Sequence, residues 1–423
     1  MLLHWIWLAH RPGLSDRGRA ALLQRFHDPE DIFYADRKTL TEVEGLSGTG
    51  LEALGDKSLD EAQSILKICR DKKLGILTFQ DAAYPRRLRN ISDPPAVLYY
   101  KGQIPDLESC PAIAVVGTRK ASAYGLTTAK RMGYQIARCG GIVVSGMAYG
   151  IDGMATAGAL TAGSPAVGVL GCGVDVVYPM SNRSLFRDME EYGWLVSEFP
   201  PGYPPSRWTF PKRNRIISGM CNGVLVIEAP EKSGSLITAR QAAEQGRDVF
   251  VVPGNIDLPS FQGSNQLLRD GAIMVSSGWE VVSEYEGLYP NSLRKELGQC
   301  CQTAYPEEVQ FAADSGKQYE KVAQDIQKPK QIRNLKKKLD KIDKKDIDNT
   351  ASRPYSVVDT DSIPLSDEER SVIQILEQGE RLVDDVIAQT GLPAGKLLSL
   401  LTMLELKGVV RRLPGKRIAL QIR

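Results

Sequence analysis

Histidine is almost missing from this chain: His4, His10 and His27 are the only three, all within the first 27 of 423 residues. That argues against a Ser-His-Asp triad or a histidine-bound metal in everything downstream. Cysteine is sparse too. The seven (Cys69, Cys110, Cys139, Cys172, Cys221, Cys300 and Cys301) are odd in number and form no Cys-x-x-Cys pair, against both a disulfide framework and a zinc site. A reducing compartment is expected, with no metal and no cofactor. No run reaches the roughly 18 apolar residues of a membrane span. The opening MLLHWIWLAHRPG has no basic flank and no small-residue cleavage site, so it reads as a core helix rather than a signal peptide. A cytoplasmic protein without a membrane partner is the expectation. Neither charge sign prevails: 53 Lys and Arg against 51 Asp and Glu leave +2, so any polyanion site must come from local clustering.

What is present falls into five stretches. Residues 1–75 read as short helices, and GLSGTG (45–50) sits between two of them like the turn of a helix-hairpin-helix, whose amides can approach a DNA phosphate. A plain connection in a small helical domain explains that turn equally well. Residues 76–110 read as a connecting segment. From 111 to 288, short apolar runs alternate with amphipathic segments: IAVVG, GIVVSG, AVGVLG, WLVSEF, GVLVIEA, DVFVVPG and AIMV. Near-continuous apolar strands separated by helices predict a parallel sheet buried on both faces, an extended Rossmann-like doubly wound α/β core. Residues 289–364 include QKPKQIRNLKKKLDKIDKKDIDN and read as a charged linker. Residues 365–423 show three helical patterns and a hairpin around Pro414-Gly415, the layout of a winged helix-turn-helix. Lys396, Arg411, Arg412, Lys416 and Arg417 are its candidates for contacting duplex DNA, with a protein partner as the other reading.

Ligands of such a sheet bind beyond the carboxyl ends of the strands. VVGTRKASAYG begins like a dinucleotide turn, yet Arg119 and Lys120 stand where glycines would continue it, with Ser122 following. SGMAYGID offers Gly146 for close backbone approach and Asp152 as a helix cap. SRWTFPKRNRIISG gathers Lys212, Arg213 and Arg215 near Trp208 and Phe210, and GSLITAR opens a helix with Ser235 and Thr238. Gly117, Gly146 and Ser235 each have a purely structural reading as turn or cap residues, and Trp208 and Phe210 have one as core. Together, cations, hydroxyls, a helix N-terminus and stackable rings are the parts of a single-stranded nucleic-acid groove. Sugar-phosphate or nucleotide chemistry with Asp152 or Glu228 as acid or base would use the same parts.

YPRRLRNISDPPAVLYYKG, VVGTRKASAYG, GGIVVSGMAYGID, FPKRNRIISG and GSLITARQAAEQGRDVFVVPG, in this order over some 200 residues, resemble the DprA/Smf family of DNA-processing proteins. The resemblance implies a non-enzymatic protein. Such proteins bind and protect incoming single-stranded DNA in natural transformation, help load the RecA recombinase, and dimerise through the Rossmann core. It also implies phosphate contacts at Arg119, Lys212, Arg213, Arg215, Ser235 and Thr238, and base stacking at Trp208 or Phe210; Gly117, Lys120, Ser122 and Gly146 join them as candidate phosphate contacts from their place after the strands. Two departures stand out. Thr156 replaces a histidine usual in the family after the Gly-Ile-Asp motif, and Met180 replaces a lysine usual after Tyr-Pro, with Arg183 as a substitute by spacing. The competing enzyme, a phosphoribohydrolase on a similar sheet, carries a PGGxGTxxE stretch where this chain has only PGN at 253–255.

Overall fold

The computed structural model describes residues 2–294, 367–376 and 381–390, with further positions between 392 and 420. It divides into two compact units, Met1–Arg333 and Asn334–Arg423.

The first unit opens with six helices: α1 (Leu2–His10), α2 (Asp16–Phe26), α3 (Pro29–Tyr34), α4 (Arg37–Thr41), α5 (Gly48–Ala53) and α6 (Asp60–Asp71). Ser15, Asp28, Asp36 and Ser47 cap four of them, each side chain accepting from a first-turn amide. Trp5, Ile6, Trp7 and Leu8 bury α1 in the core, as the opening stretch predicts. The GLSGTG stretch is only half a turn: Ser47 starts α5, so Gly48 and Gly50 are helical.

Nine strands follow: β1 (Gly75–Thr78), β2 (Val97–Gly102), β3 (Ala112–Val116), β4 (Ile142–Ser145), β5 (Ala166–Val169), β6 (Trp194–Ser197), β7 (Gly223–Val226), β8 (Asp248–Val251) and β9 (Ile273–Met274). They form one sheet in the order β1-β2-β6-β5-β4-β3-β7-β8-β9. From β6 to β9 all pairs are parallel. The stretch read as a connector supplies β1 and β2, which extend the sheet antiparallel from β6. Helices α7 (Arg86–Arg89), α8 (Ala123–Arg138), α9 (Ile151–Thr161), α10 (Arg183–Tyr192), α11 (Thr209–Met220), α12 (Gly234–Glu244), α13 (Gln262–Arg269) and α14 (Gly278–Ser283) cover it. Alternation along β3 divides the core. Ile113 and Val115 pack with α8, α9 and the N-terminal helices, while Ala112, Ala114 and Val116 pack with α11 and α12. The chain runs outward from β3 through β4, β5 and β6, then returns to its other side at β7, which puts a topological switch point between β3 and its flanks.

The second unit holds α15 (Asp367–Leu376), α16 (Val383–Thr390) and a three-stranded antiparallel sheet of β10 (Arg381–Leu382), β12 (Arg417–Leu420) and β11 (Val410–Leu413). Here β10 adds a strand to the expected hairpin. Leu397, Leu401 and Leu404 are helical and pack with Val372, Leu376 and Ile418. Among the described residues, no helix is long and apolar enough to cross a membrane.

Candidate nucleic-acid interface

A cavity of about 340 Å³ opens at the carboxyl edge of the sheet, at the switch point. The turn after β3 brings Gly117, Thr118, Arg119 and Lys120 to it, and the turn between β7 and α12 brings Lys232, Ser233, Gly234 and Ser235. The opening turns of α11 supply Phe210, Arg213 and Asn214, and Ile217 and Ile237 line its apolar wall. Arg119, Lys120 and Lys232 are exposed, and among the described residues none of them is in an ion pair. The Arg119 guanidinium lies 4.7 Å from the centroid of the Phe210 ring, which in turn stacks on Tyr178 at 5.6 Å. Phe210 is therefore a shelf for Arg119, with the Tyr178 ring stacked on it.

The N-terminus of α12 brings hydroxyl groups to the cavity. Ser233 caps it by accepting from the Ser235 amide at 3.3 Å, its hydroxyl meets that of Ser235 at 2.7 Å, and Thr238 follows one turn later. The positive dipole end of the helix adds to these hydroxyls.

Arg213 forms the floor. It is 3% exposed and donates to the Gly146 carbonyl at 2.8 Å, to the Val169 carbonyl, and to Asn214 Oδ1 at 3.2 Å. Burial pulls its pKa down to about 10 despite nearby Asp152, and burial raises Asp152 despite Arg213. The Gly146 amide donates to Asp152 Oδ2 at 3.1 Å. A Cβ at Gly146 would stand 2.6 Å from both Arg213 Nη2 and Asp152 Oδ2, so only glycine lets the strand end pass between them. Asp152 does not cap α9: that position is Gly150, and the carboxyl faces back to Gly146.

Four sequence candidates lie elsewhere. Lys212 reaches Asp16 at 3.1 Å and Glu198 at 4.0 Å. Arg215 is buried, paired with Glu198, with Asp93 at 3.5 Å and with Asp16 at 4.0 Å. Both belong to a second polar region, where a cavity of about 350 Å³ separates α1 and α2 from the sheet. The reason is geometric: an α-helix turns about 100° per residue, so positions 212, 213 and 215 point in three directions. Ser122 caps α8 and is tied to Glu228. Trp208 is 73% exposed, outside the cavity lining, with the Arg207 guanidinium 4.9 Å from its ring.

Thr156 is buried and donates to the Asp152 carbonyl at 2.9 Å, a core role needing no imidazole. Met180 is 64% exposed, and Arg183, the first residue of α10, is not among the cavity residues. Glu228 is wholly buried and accepts from Ser122. Sequence reasoning missed Lys232, whose only signal was its place two residues before the Gly-Ser helix start. In the second unit, Lys396 and Lys416 lie outside the described residues, and Arg411, Arg412 and Arg417 are placed on β11 and β12 by backbone alone.

Residues 75–286 match the family model of DNA recombination-mediator protein A, and residues 359–416 match that of the DprA winged helix domain. Protein Smf of Synechocystis sp. is 30% identical over 420 residues, 98% of this chain and 97% of the relative. DNA processing protein DprA of Bacillus subtilis is 41% identical over 220 residues, 52% of this chain and 74% of the relative. The X-ray structure of DNA processing protein A from Streptococcus pneumoniae matches with a TM-score of 0.59 at 32% identity, covering 67% of this chain and 98% of that one. With both modules matched and one relative similar over nearly its whole length, the chain belongs to the DprA/Smf family of DNA-processing proteins.

Proposed function

We propose that this chain binds single-stranded DNA at the carboxyl edge of its sheet and passes it to a RecA-type recombinase in transformation and recombination, with no chemical step of its own. One observation carries the reading: Arg119, Lys120 and Lys232, in no ion pair among the described residues, converge with the α12 N-terminus on a cavity that also has an apolar wall. Backbone phosphates take the cations, hydroxyls and amides, and bases take the apolar side. Base readout has no part in this, so little sequence preference is expected. Membership in a family described as recombination mediators supports the recombinase step.

The core pairs with a second copy in this reading. The sheet ends at β9, whose Ile273 and Met274 are 39% and 66% exposed, and Ile256 and Leu258 nearby in sequence are 78% and 43% exposed. An apolar edge strand of this kind pairs readily with another chain. The winged helix is assigned a contact with duplex DNA or a protein.

Fluorescent oligonucleotide titrations, single-stranded against duplex, test the reading. Arg119→Ala and Lys232→Ala should each weaken single-strand binding by roughly tenfold, the scale of one charge-assisted contact. Unaltered affinity in both variants would overturn the site.

A further inference from the structure

Glu228 stands two residues past the end of β7, buried beside the cavity proposed for DNA, where a carboxyl group should be a liability. Its surroundings explain it. The Ser122 amide donates to Oε2 at 2.9 Å and to Oε1 at 3.1 Å, and the Ser122 hydroxyl donates to Oε2 at 2.7 Å. The same hydroxyl accepts from the Gly125 amide at 3.1 Å. At the other end of the turn, the Thr118 amide donates to the Glu228 carbonyl at 2.7 Å. One residue thus grips Thr118 with its backbone and Ser122 with its side chain, and the residues strung between are Arg119, Lys120 and Ala121.

This carboxyl group sits at the N-terminus of α8, the 16-residue helix that follows β3 through the 117–122 turn. In a dinucleotide-binding fold, that position receives the pyrophosphate. Here the space is taken: a Cβ at Gly125 would stand 2.0 Å from Glu228 Oε2, and one at Gly117 would stand 2.9 Å from the Glu228 carbonyl oxygen. We propose that the Glu228 carboxyl group fills the pyrophosphate position, fixes the 118–122 turn, and leaves Arg119 and Lys120 to hold an external phosphate beside α12. It is a positioning and specificity residue: it closes the turn to dinucleotides and orients the cations that the DNA uses. The proposal rests on the DNA-binding reading above.

The test is chemical rescue. Glu228→Ala empties the position, and sodium formate, a free carboxylate of the right size, can refill it. Single-strand affinity of the full chain is measured with formate and with chloride at equal ionic strength. The expected result is binding roughly tenfold weaker in Glu228→Ala, recovered largely by formate and not by chloride. Glu228→Gln, which keeps an acceptor for the Ser122 amide, should stay closer to the native affinity and be indifferent to formate. Native affinity in Glu228→Ala, or a loss that formate leaves untouched, would overturn the proposal. If Glu228→Ala does not fold, Gly125→Ala, whose methyl meets the carboxyl oxygen, replaces it: weakened binding by a folded protein supports the proposal, and unchanged binding refutes it. Lys232→Ala separates the two readings, because Lys232 lies outside the clamped turn. A Lys232 effect without a Glu228 effect removes only the positioning role. No effect of Lys232→Ala and Arg119→Ala removes the DNA site itself.

Discussion

The two cavities beside α11 have nearly equal volumes, about 340 and 350 Å³, and each is lined by one cation from that helix, Arg213 in the first and Lys212 in the second. They differ in their acids. In the region between α1, α2 and the sheet, Asp16 meets Arg19 at 2.6 Å and Lys212 at 3.1 Å, while Glu198 and Asp93 hold Arg215. At the carboxyl edge the acid beside Arg213 is buried Asp152, and among the described residues the outer cations Arg119, Lys120 and Lys232 form no ion pair. A lysine or arginine becomes a candidate DNA ligand only where the fold withholds an acid; one and two positions away from Arg213 along α11, Lys212 and Arg215 become ties to Asp16 of α2 where it supplies one.

Breaking the tie should have the largest effect. Arg215→Ala leaves Glu198 buried beside fewer cations, and loss of one partner of a buried pair costs about 3–5 kcal/mol. Chemical denaturation should show that loss, while DNA affinity of the folded protein stays close to native. Acid should loosen the same region. Burial, with Arg19 and Lys212 nearby, pulls His10 down from 6.5 to about 3, and its ring bonds Tyr99 Oη at 2.7 Å. The folded protein keeps His10 neutral while the unfolded chain takes up a proton, so this contribution is complete above about pH 6.5 and is lost as pH falls toward about 3. Denaturation across pH should show a weaker fall over that window in His10→Gln.

Effects on binding come next in size. Arg119→Ala or Lys232→Ala should weaken single-strand binding by about tenfold with little change in stability. Lys212→Ala should do least: its ion pairs are partly exposed and worth at most about 1 kcal/mol, and its ammonium is engaged by Asp16. A binding loss in Lys212→Ala as large as that in Arg119→Ala would erase the distinction between the two regions.

The parallel part of the sheet was legible because strands buried on both faces must be apolar throughout, as IAVVG and GIVVSG are. Strands β1 and β2 were not, since GILT and VLYYKG at the antiparallel end of the sheet mix polar and apolar residues. At the site, Arg119, Ser235 and Thr238 were legible from their place after strands. Arg215 and Lys212 were misplaced because a run of cations along a sequence says nothing of which helix face each occupies or what acid awaits it. Asp16, their partner, lies almost 200 residues away. Lys232 was missed for the opposite reason: it stands alone in a turn, and only the closure of that turn over the β3 edge brings it to Arg119 and Lys120.

The most direct test of the account is the salt dependence of single-strand binding in the native chain, Arg119→Ala, Lys232→Ala and Lys212→Ala. Each lost phosphate contact should reduce the slope of log K against log salt by about 0.7 for single strands. The account predicts that reduction in Arg119→Ala and Lys232→Ala and a native slope in Lys212→Ala; a reduced slope in Lys212→Ala with native slopes in the other two would contradict it.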